Sequence, residues 1–169
     1  EGSWAHADEK SSVYEMKAYV ENIFARLGIA GDIIATQTSD EIYSVALTYS
    51  NRGGKILGKI GLVSHMDTSP DVSGANVKPQ IIKFDGTNAP MVGDEYIGHE
   101  LIVTDHTTLL GADDKAGVAE IVALCAEINA NENIRHGALS ICFTPDEEIG
   151  CGADHFDFAR FNADFAYTV

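Results

Sequence analysis

The sequence predicts an α/β protein with a mostly parallel sheet and helices on both of its faces. Apolar segments that read as strands alternate with segments whose apolar residues recur at helical spacing. The predicted strand Lys59–His65 has a continuous apolar centre from Ile60 to Val63, which is typical of a strand that is buried on both faces. The 169 residues and their 45% apolar content suffice for one domain with a real core.

Local patterns predict each element in turn. Apolar residues at helical spacing predict helices at Ser12–Leu27 and Gly117–Ile128, and Gly28 suits the end of the first. Apolar runs bounded by turn residues predict strands at Ile42–Tyr49, Lys59–His65, Leu101–Val103, Ala138–Thr144 and Phe165–Val169.

The remaining segments read as turns and loops. Asn51–Gly54 is predicted to be a turn between two apolar runs. The stretch Thr68–Gly98 is rich in Gly, Pro, Asp and Asn, which predicts a long, partly irregular excursion of the kind that often carries function. Thr107–Asp114 is predicted to be a turn, and Glu147–Gly152 a turn that leads into a short helix.

Charge and cysteine content exclude several classes of partner. Acidic residues outnumber basic ones by 26 to 11, for a net charge of −15, so we expect no binding to nucleic acid or anionic membranes. No apolar run is long enough to span a membrane. The acidic residues serve either as a solubilising surface or, in part, as ligands for cations.

Three cysteines without a CxxC pair favour a reducing compartment, so we expect a cytoplasmic protein.

Ser64-His65-Met66-Asp67, the first of three polar clusters, closes the strand predicted at Lys59–His65. Residues two apart in a strand point to the same side, so His65 and Asp67 are expected to face the same way. A neutral imidazole is a good zinc ligand, and a nearby carboxylate can orient its ring. The alternative is a hydrogen-bonded histidine at the end of a strand.

The other two clusters are carboxylates that follow apolar segments. Asp113 and Asp114 lie in a glycine-flanked turn before a predicted helix, and capping of that helix accounts well for one of them. Asp146, Glu147 and Glu148 end a buried strand, and the alternative for them is a solvated turn.

Taken together, these clusters indicate a metal site. In a parallel sheet the carboxyl ends of strands share one edge, so one imidazole and several carboxylates would converge there. Such a group needs a cation, because the carboxylates repel one another and no arginine lies nearby in the sequence. Mixed nitrogen and oxygen ligands suit zinc, and a pair of ions is the usual arrangement in two-metal hydrolases.

The motifs that carry these residues resemble peptidase T, the tripeptide aminopeptidase family of the co-catalytic zinc exopeptidase superfamily. The similarity runs in order from about Lys59 to the end of the chain, and the first 58 residues match only in general layout. The matching segments are His65–Asp71, Asn76–Gln80, Thr108–Gly117, Phe143–Gly150 and Asp164–Val169.

The resemblance implies a role for each candidate residue. His65 would bind one zinc ion, with Asp67 orienting its ring, and Asp113 would bridge two zinc ions, its peptide bond to Asp114 being cis. Glu148 would bind the second ion, and Glu147 would be the general base. Two Zn²⁺ ions are expected per complete active site, and small peptides are the expected substrates.

The resemblance also implies how the chain is organised. Residues 1–169 would form part of a catalytic domain, without the inserted lid and dimerisation domain and without the C-terminal part of the catalytic domain. Family members take further metal ligands from those later residues, so we expect this chain by itself to bind zinc weakly and to hydrolyse little. The full-length protein would be a homodimer.

Two other functions remain open at this stage. A related zinc dipeptidase, carboxypeptidase or deacylase would use the same ligands on a different substrate. A non-catalytic binding or assembly domain could keep the fold without the activity, although intact Asp113 and Glu147 argue against a degenerate site.

Overall fold

The structure is a computed structural model that describes residues 22, 25–26, 34–37, 43–50, 52–53, 58–154 and 156–169. The predicted helix Ser12–Leu27 lies largely outside the described residues, within which Asn22, Ala25 and Arg26 are helical. The predicted turn Asn51–Gly54 also lies partly outside them.

Besides these helical residues near the N-terminus, seven strands and two complete α-helices lie within the described residues. Helix α1 is Ala112–Ala130 and helix α2 is Phe158–Phe161. The strands are β1 (Ile34–Gln37), β2 (Tyr43–Tyr49), β3 (Ile60–His65), β4 (Gln80–Lys83), β5 (Glu100–Val103), β6 (Leu139–Thr144) and β7 (Phe165–Thr168).

Five of the strands form one sheet in the order β1-β2-β6-β3-β7. Strand β3 runs parallel to both β6 and β7, while β2 runs antiparallel to both β6 and β1. Strand β1 therefore points the same way as β3, β6 and β7, and β2 alone is reversed in this sheet. The prediction of a mostly parallel sheet is confirmed.

Helices cover both faces of this sheet. On one face, Ile141 and Phe143 of β6 pack with Ile121 and Cys125 of α1 in the core. Alternate residues of a strand point to opposite sides, so Ser140 lies on the other face, where its hydroxyl donates a hydrogen bond of 2.5 Å to the carbonyl of Phe161 in α2. No helix in the described part of the chain is both long and apolar enough to cross a membrane.

Only a glycine at position 61 lets α2 approach the sheet. Gly61 pairs with Ser140 across β3 and β6. A Cβ atom at this position would lie 2.5 Å from the ring of Phe161 and 2.8 Å from the Cβ of Ala166. The missing side chain therefore makes room for the aromatic ring that covers this face.

Strands β3 and β6 end at the same level of the sheet. His65 pairs with Thr144, and the N–H of Met66 donates to the carbonyl of Thr144 at 2.8 Å. The segments that follow the two strands therefore leave the sheet side by side. This register places residues 65–67 next to residues 145–148, which are far away in the sequence.

Residues 71–111 form a separate compact unit. Its strands β4 and β5 make an antiparallel ribbon in which Ile81 pairs with Ile102, and Phe84 is its most buried apolar residue. The predicted irregular excursion Thr68–Gly98 thus contains one strand at its Ile81–Ile82 island and a single 3-10 turn at Asp94–Tyr96.

The turn predicted at Glu147–Gly152 is confirmed, but the short helix predicted to follow it begins later than expected. Residues 147–150 form a turn, and helix α2 begins only at Phe158, where Asp157 caps it by accepting the N–H of Arg160 at 2.9 Å. Asp146 and Gly150 both adopt left-handed backbone angles, with φ of 62° and 76°. A helix cannot start through such residues, so the chain turns instead.

Candidate metal centre

His65 lies at the centre of the site, at the carboxyl end of β3. Its side chain is only 9% exposed. Its Nε2 atom lies 2.8 Å from Oδ1 of Asp113 and 3.7 Å from Oε2 of Glu147, and its Nδ1 atom lies 3.3 Å from Oδ1 of Asp67. The imidazole is thus surrounded by three carboxylates from three separate segments.

Asp67 joins the end of β3 to the turn after β6. Its side chain is 1% exposed, and its Oδ2 atom accepts the N–H of Glu148 at 2.9 Å. Burial alone would raise the pKa of Asp67, but His65 and the N–H of Glu148 outweigh it and hold this pKa below its ordinary value. Asp67 is therefore an ionised carboxylate that contacts the imidazole on one side and the 147–148 turn on the other.

The two adjacent aspartates at the start of α1, Asp113 and Asp114, make different contacts. Both have non-helical backbone angles, and the peptide bond between them is cis, as the resemblance implied. The Asp114 carboxylate accepts the hydroxyl of Ser64 at 2.7 Å, the N–H of His65 at 3.2 Å and the N–H of Gly117 at 3.1 Å. Asp114 thus caps the helix and fixes it to β3, while the side chain of Asp113 is 86% exposed and points to His65.

Glu147 and Glu148 lie in the turn that follows β6. The N–H of Gly150 donates to the carbonyl of Glu147 at 2.7 Å, which closes the turn. The Glu147 side chain is 59% exposed, whereas Glu148 is half-buried. Asp146, which was also predicted at this edge, is buried, and its carbonyl accepts the N–H of Cys151 at 2.9 Å.

A metal ion fits the group formed by His65, Asp113 and Glu148. One ligand atom from each residue can be chosen so that all three lie within 4.8 Å of one another. The Nδ1 atom of His65 and the Oδ1 atom of Asp67 are buried and make no hydrogen bond of good geometry within the described structure. One nitrogen and two oxygen donors form the kind of set that zinc accepts, so these residues could hold it.

The charge state of His65 reflects this environment. Burial alone would lower its pKa, but Asp67, Asp113 and Glu147 outweigh that effect and raise the pKa of His65 to about 9. In the metal-free protein the imidazole is therefore protonated at neutral pH and acts as the cation among these carboxylates. A metal ion that binds to it must replace that proton.

Lys115 is a residue of this site that the sequence reasoning missed. Its Nζ atom is buried and finds no hydrogen-bond partner among the described residues. The charges that act on it most strongly are the carboxylates of Asp67 and Glu148. The only signal in the sequence was its position two residues after Asp113.

No protein-family model matches the chain. Among curated proteins, it is 53% identical over 144 residues to peptidase T of Clostridium perfringens, an alignment that covers 78% of this chain and 35% of the relative. Among solved structures, it is similar to a tripeptidase from Staphylococcus aureus, with a TM-score of 0.71 and 27% identity. That match covers 99% of this chain and 39% of the other. Aminopeptidase PepT from Bacillus cereus matches almost equally well, with a TM-score of 0.70 and 26% identity.

The sheet, its helices and these structural matches give the chain the fold of a zinc exopeptidase catalytic domain. Within that class the chain is homologous to peptidase T. It spans about a third of the length of the curated relatives that it matches.

Proposed function

We propose that this chain is part of the catalytic domain of a metal-dependent aminopeptidase that releases the N-terminal residue from tripeptides. The proposal rests on one observation: possible ligand atoms of His65, Asp113 and Glu148 lie close enough together to bind one ion, and Glu147 lies beside them. The names of the relatives, peptidase T and tripeptidase, support a tripeptide as the substrate.

In this proposal, His65 and Asp113 would hold one zinc ion, and Asp113 and Glu148 would hold a second. The distances between the three side chains support a shared ligand, because Asp113 lies next to His65 and within reach of Glu148. Asp67 would orient the imidazole from its Nδ1 side, where the two side chains lie 3.3 Å apart, and leave Nε2 to bind the ion. The mixed donor set favours zinc over magnesium or calcium, which prefer oxygen alone.

Glu147 is the general base of the proposed reaction. Its carboxylate is largely exposed and lies at the edge of the site, where a water molecule and a peptide can reach it. When bound, the zinc ions supply Lewis acidity, which makes a water molecule more acidic and polarises the scissile carbonyl. Glu147 takes the proton of the attacking water and delivers it to the leaving amine.

The proposal extends to the cellular setting. Cys125 and Cys142 are buried core residues, and the chain contains no CxxC pair, which supports a reducing compartment such as the cytoplasm. The full-length protein would act on small peptides there and would form a homodimer, as the resemblance implies.

The substrate assignment can be tested with the purified chain, zinc and trialanine. We expect slow, zinc-dependent release of free alanine from the N-terminus, detected by mass spectrometry over hours. N-acetyl-trialanine should not be cleaved, because an aminopeptidase requires a free amino group. Cleavage of the acetylated peptide or release of the C-terminal residue would contradict the aminopeptidase assignment and favour a carboxypeptidase or deacylase.

Zinc binding should release a proton from His65. Because the pKa of His65 is raised to about 9, the imidazole is protonated in the metal-free chain between pH 6 and 8, and zinc must displace that proton. We expect about one proton released from His65 per chain, on binding of the ion that this imidazole would hold, and an apparent affinity for that ion that rises about tenfold for each unit of increasing pH. Calorimetry in two buffers of different ionisation enthalpy measures both quantities.

The matched control for this experiment is His106→Asn. His106 is exposed and has a φ of 64°, a conformation that asparagine tolerates. This variant should release the same number of protons as the wild type. Zinc binding without proton release, or release that persists unchanged in His65→Ala, would show that His65 is not a protonated ligand.

A further inference from the structure

The antiparallel ribbon of β4 and β5 has one face that is both apolar and exposed. Ile81 and Ile102 lie opposite each other in the register of the ribbon, and their exposed fractions are 70% and 63%. The next cross-strand pair, Ile82 and Leu101, points to the opposite side, and both of its residues are partly buried. Two exposed β-branched side chains that lie side by side on a ribbon form a surface that a partner can cover.

Two charged residues lie on the same face as these isoleucines. Residues two apart in a strand point to the same side, so Lys83 lies beside Ile81 and Glu100 lies beside Ile102. Lys83 and Glu100 are also opposite each other in the register, and both are exposed. The four residues are called the ribbon face below, with an apolar pair at one end and a pair of opposite charges at the other.

The ribbon face is complementary to itself. A two-fold axis parallel to the strands, midway between β4 and β5, places β4 of one copy over β5 of a second copy. Ile81 then faces Ile102 of the second copy, and Lys83 faces Glu100 of the second copy. A two-fold axis perpendicular to the strands would leave both charges without an opposite charge to face, so the charge pattern selects one orientation.

We propose that the ribbon face is a self-association surface through which two copies of this chain form a weak, two-fold symmetric dimer. Charge complementarity of the face with itself is the reason that a second copy is its partner. Association through this face depends neither on the metal centre nor on the proposed hydrolysis. It is also separate from the dimerisation domain that the resemblance to peptidase T places outside residues 1–169.

The small size of the ribbon face limits the strength of the dimer. Stable protein interfaces bury about 800 Å² on each partner, and four side chains cover much less than that. The net charge of −15 makes two copies repel each other, although a salt concentration of about 0.15 M limits this repulsion to a range of about 8 Å. We expect a dissociation constant on the order of 100 µM at that salt concentration.

Sedimentation equilibrium of the purified metal-free chain, from about 10 µM to about 1 mM, measures this constant. Lys83→Glu and Glu100→Lys, each alone, should weaken association about tenfold, because two attractive contacts of the dimer become repulsive. Glu120→Lys is the matched control. It changes the net charge by the same amount as Glu100→Lys, at an exposed position of α1, and should retain the wild-type dissociation constant.

The decisive sample is an equimolar mixture of Lys83→Glu and Glu100→Lys. A dimer with one copy of each variant again pairs every negative side chain of the face with a positive one, so the mixture should associate about as strongly as the wild type. Each variant also places like charges opposite each other within its own ribbon, which weakens the ribbon itself. Mixing cannot repair a weakened ribbon, so recovery in the mixture comes only from contact between copies.

Three results would overturn the inference. A wild-type chain that stays monomeric up to about 1 mM would leave the ribbon face to another partner. Association that the two charge variants leave unchanged would belong to a different surface, and a mixture that does not recover association would exclude the two-fold arrangement.

Circular dichroism and thermal unfolding establish that each variant is folded. If the charge variants do not fold, Ile102→Thr takes their place, because it keeps a β-branched residue at an exposed strand position. This variant should weaken association about tenfold through the loss of apolar contact, and an unchanged dissociation constant would reject the ribbon face as the interface.

Discussion

Replacement of Glu147 by Gln should reduce the slow zinc-dependent hydrolysis of trialanine to below detection and change zinc affinity by less than about twofold. Glutamine keeps the size of the side chain but cannot accept a proton from water. Glu147 lies 3.7 Å from the imidazole of His65, yet it is not in the group of three residues that can converge on one ion. The rate of alanine release from trialanine and the calorimetric affinity for zinc measure the two effects separately.

The control for this prediction is Glu120→Gln. Glu120 is an exposed residue of α1, so the variant changes the net charge by the same amount away from the site. It should retain the full rate. If Glu147→Gln retained the wild-type rate, Glu147 would not be the base, and a loss of zinc binding in this variant would make it a ligand instead.

The sequence was most informative where a strand is buried and its register is fixed. Strands β3 and β6 were predicted within one residue of their observed ends, because a short, continuous apolar run between turn residues fits few structures other than a buried strand. The rule that parallel strands end at one edge then predicted the proximity of residues 65–67 and 147–148, which the structure shows. Strand β1 was missed because Ile34–Gln37 is four residues long and lies at the edge of the sheet, where pairing with β2 and not an apolar pattern defines it.

The sequence could not show that neighbouring residues of this site have different roles. The periodicity of a helix predicts where side chains point only if the backbone is helical. Asp113 and Asp114 are not helical, because their ψ angles are 105° and 37° in the segment that begins α1. No periodicity could therefore show that Asp114 faces Ser64 while Asp113 faces His65, or that Lys115 turns inward. The sequence offered capping and metal binding as alternatives for this pair, and the geometry is compatible with one role for each residue.

Separate substitutions should divide these two roles. Asp113→Ala should weaken zinc binding about 100-fold or more, because it removes the proposed bridging ligand. Its side chain is 86% exposed but lies 2.8 Å from the protonated imidazole of His65, so the free energy of unfolding of the metal-free chain should fall by only about 1 kcal/mol. Asp114→Ala should instead destabilise the chain by about 2–4 kcal/mol, because it leaves the N–H groups of His65 and Gly117 without their side-chain acceptor and the hydroxyl of Ser64 with only the backbone carbonyl of residue 114.

Urea unfolding in the presence of a chelator and zinc calorimetry distinguish the two variants. The two roles would be best supported if Asp113→Ala changed mainly zinc affinity and Asp114→Ala changed mainly the free energy of unfolding. Asp114→Asn offers an intermediate case, since one amide oxygen can still accept the N–H of Gly117 while the amide nitrogen cannot accept the hydroxyl of Ser64. If Asp113→Ala proved as destabilising as Asp114→Ala and retained zinc binding, both aspartates would serve the fold, and the bridging role of Asp113 would be excluded.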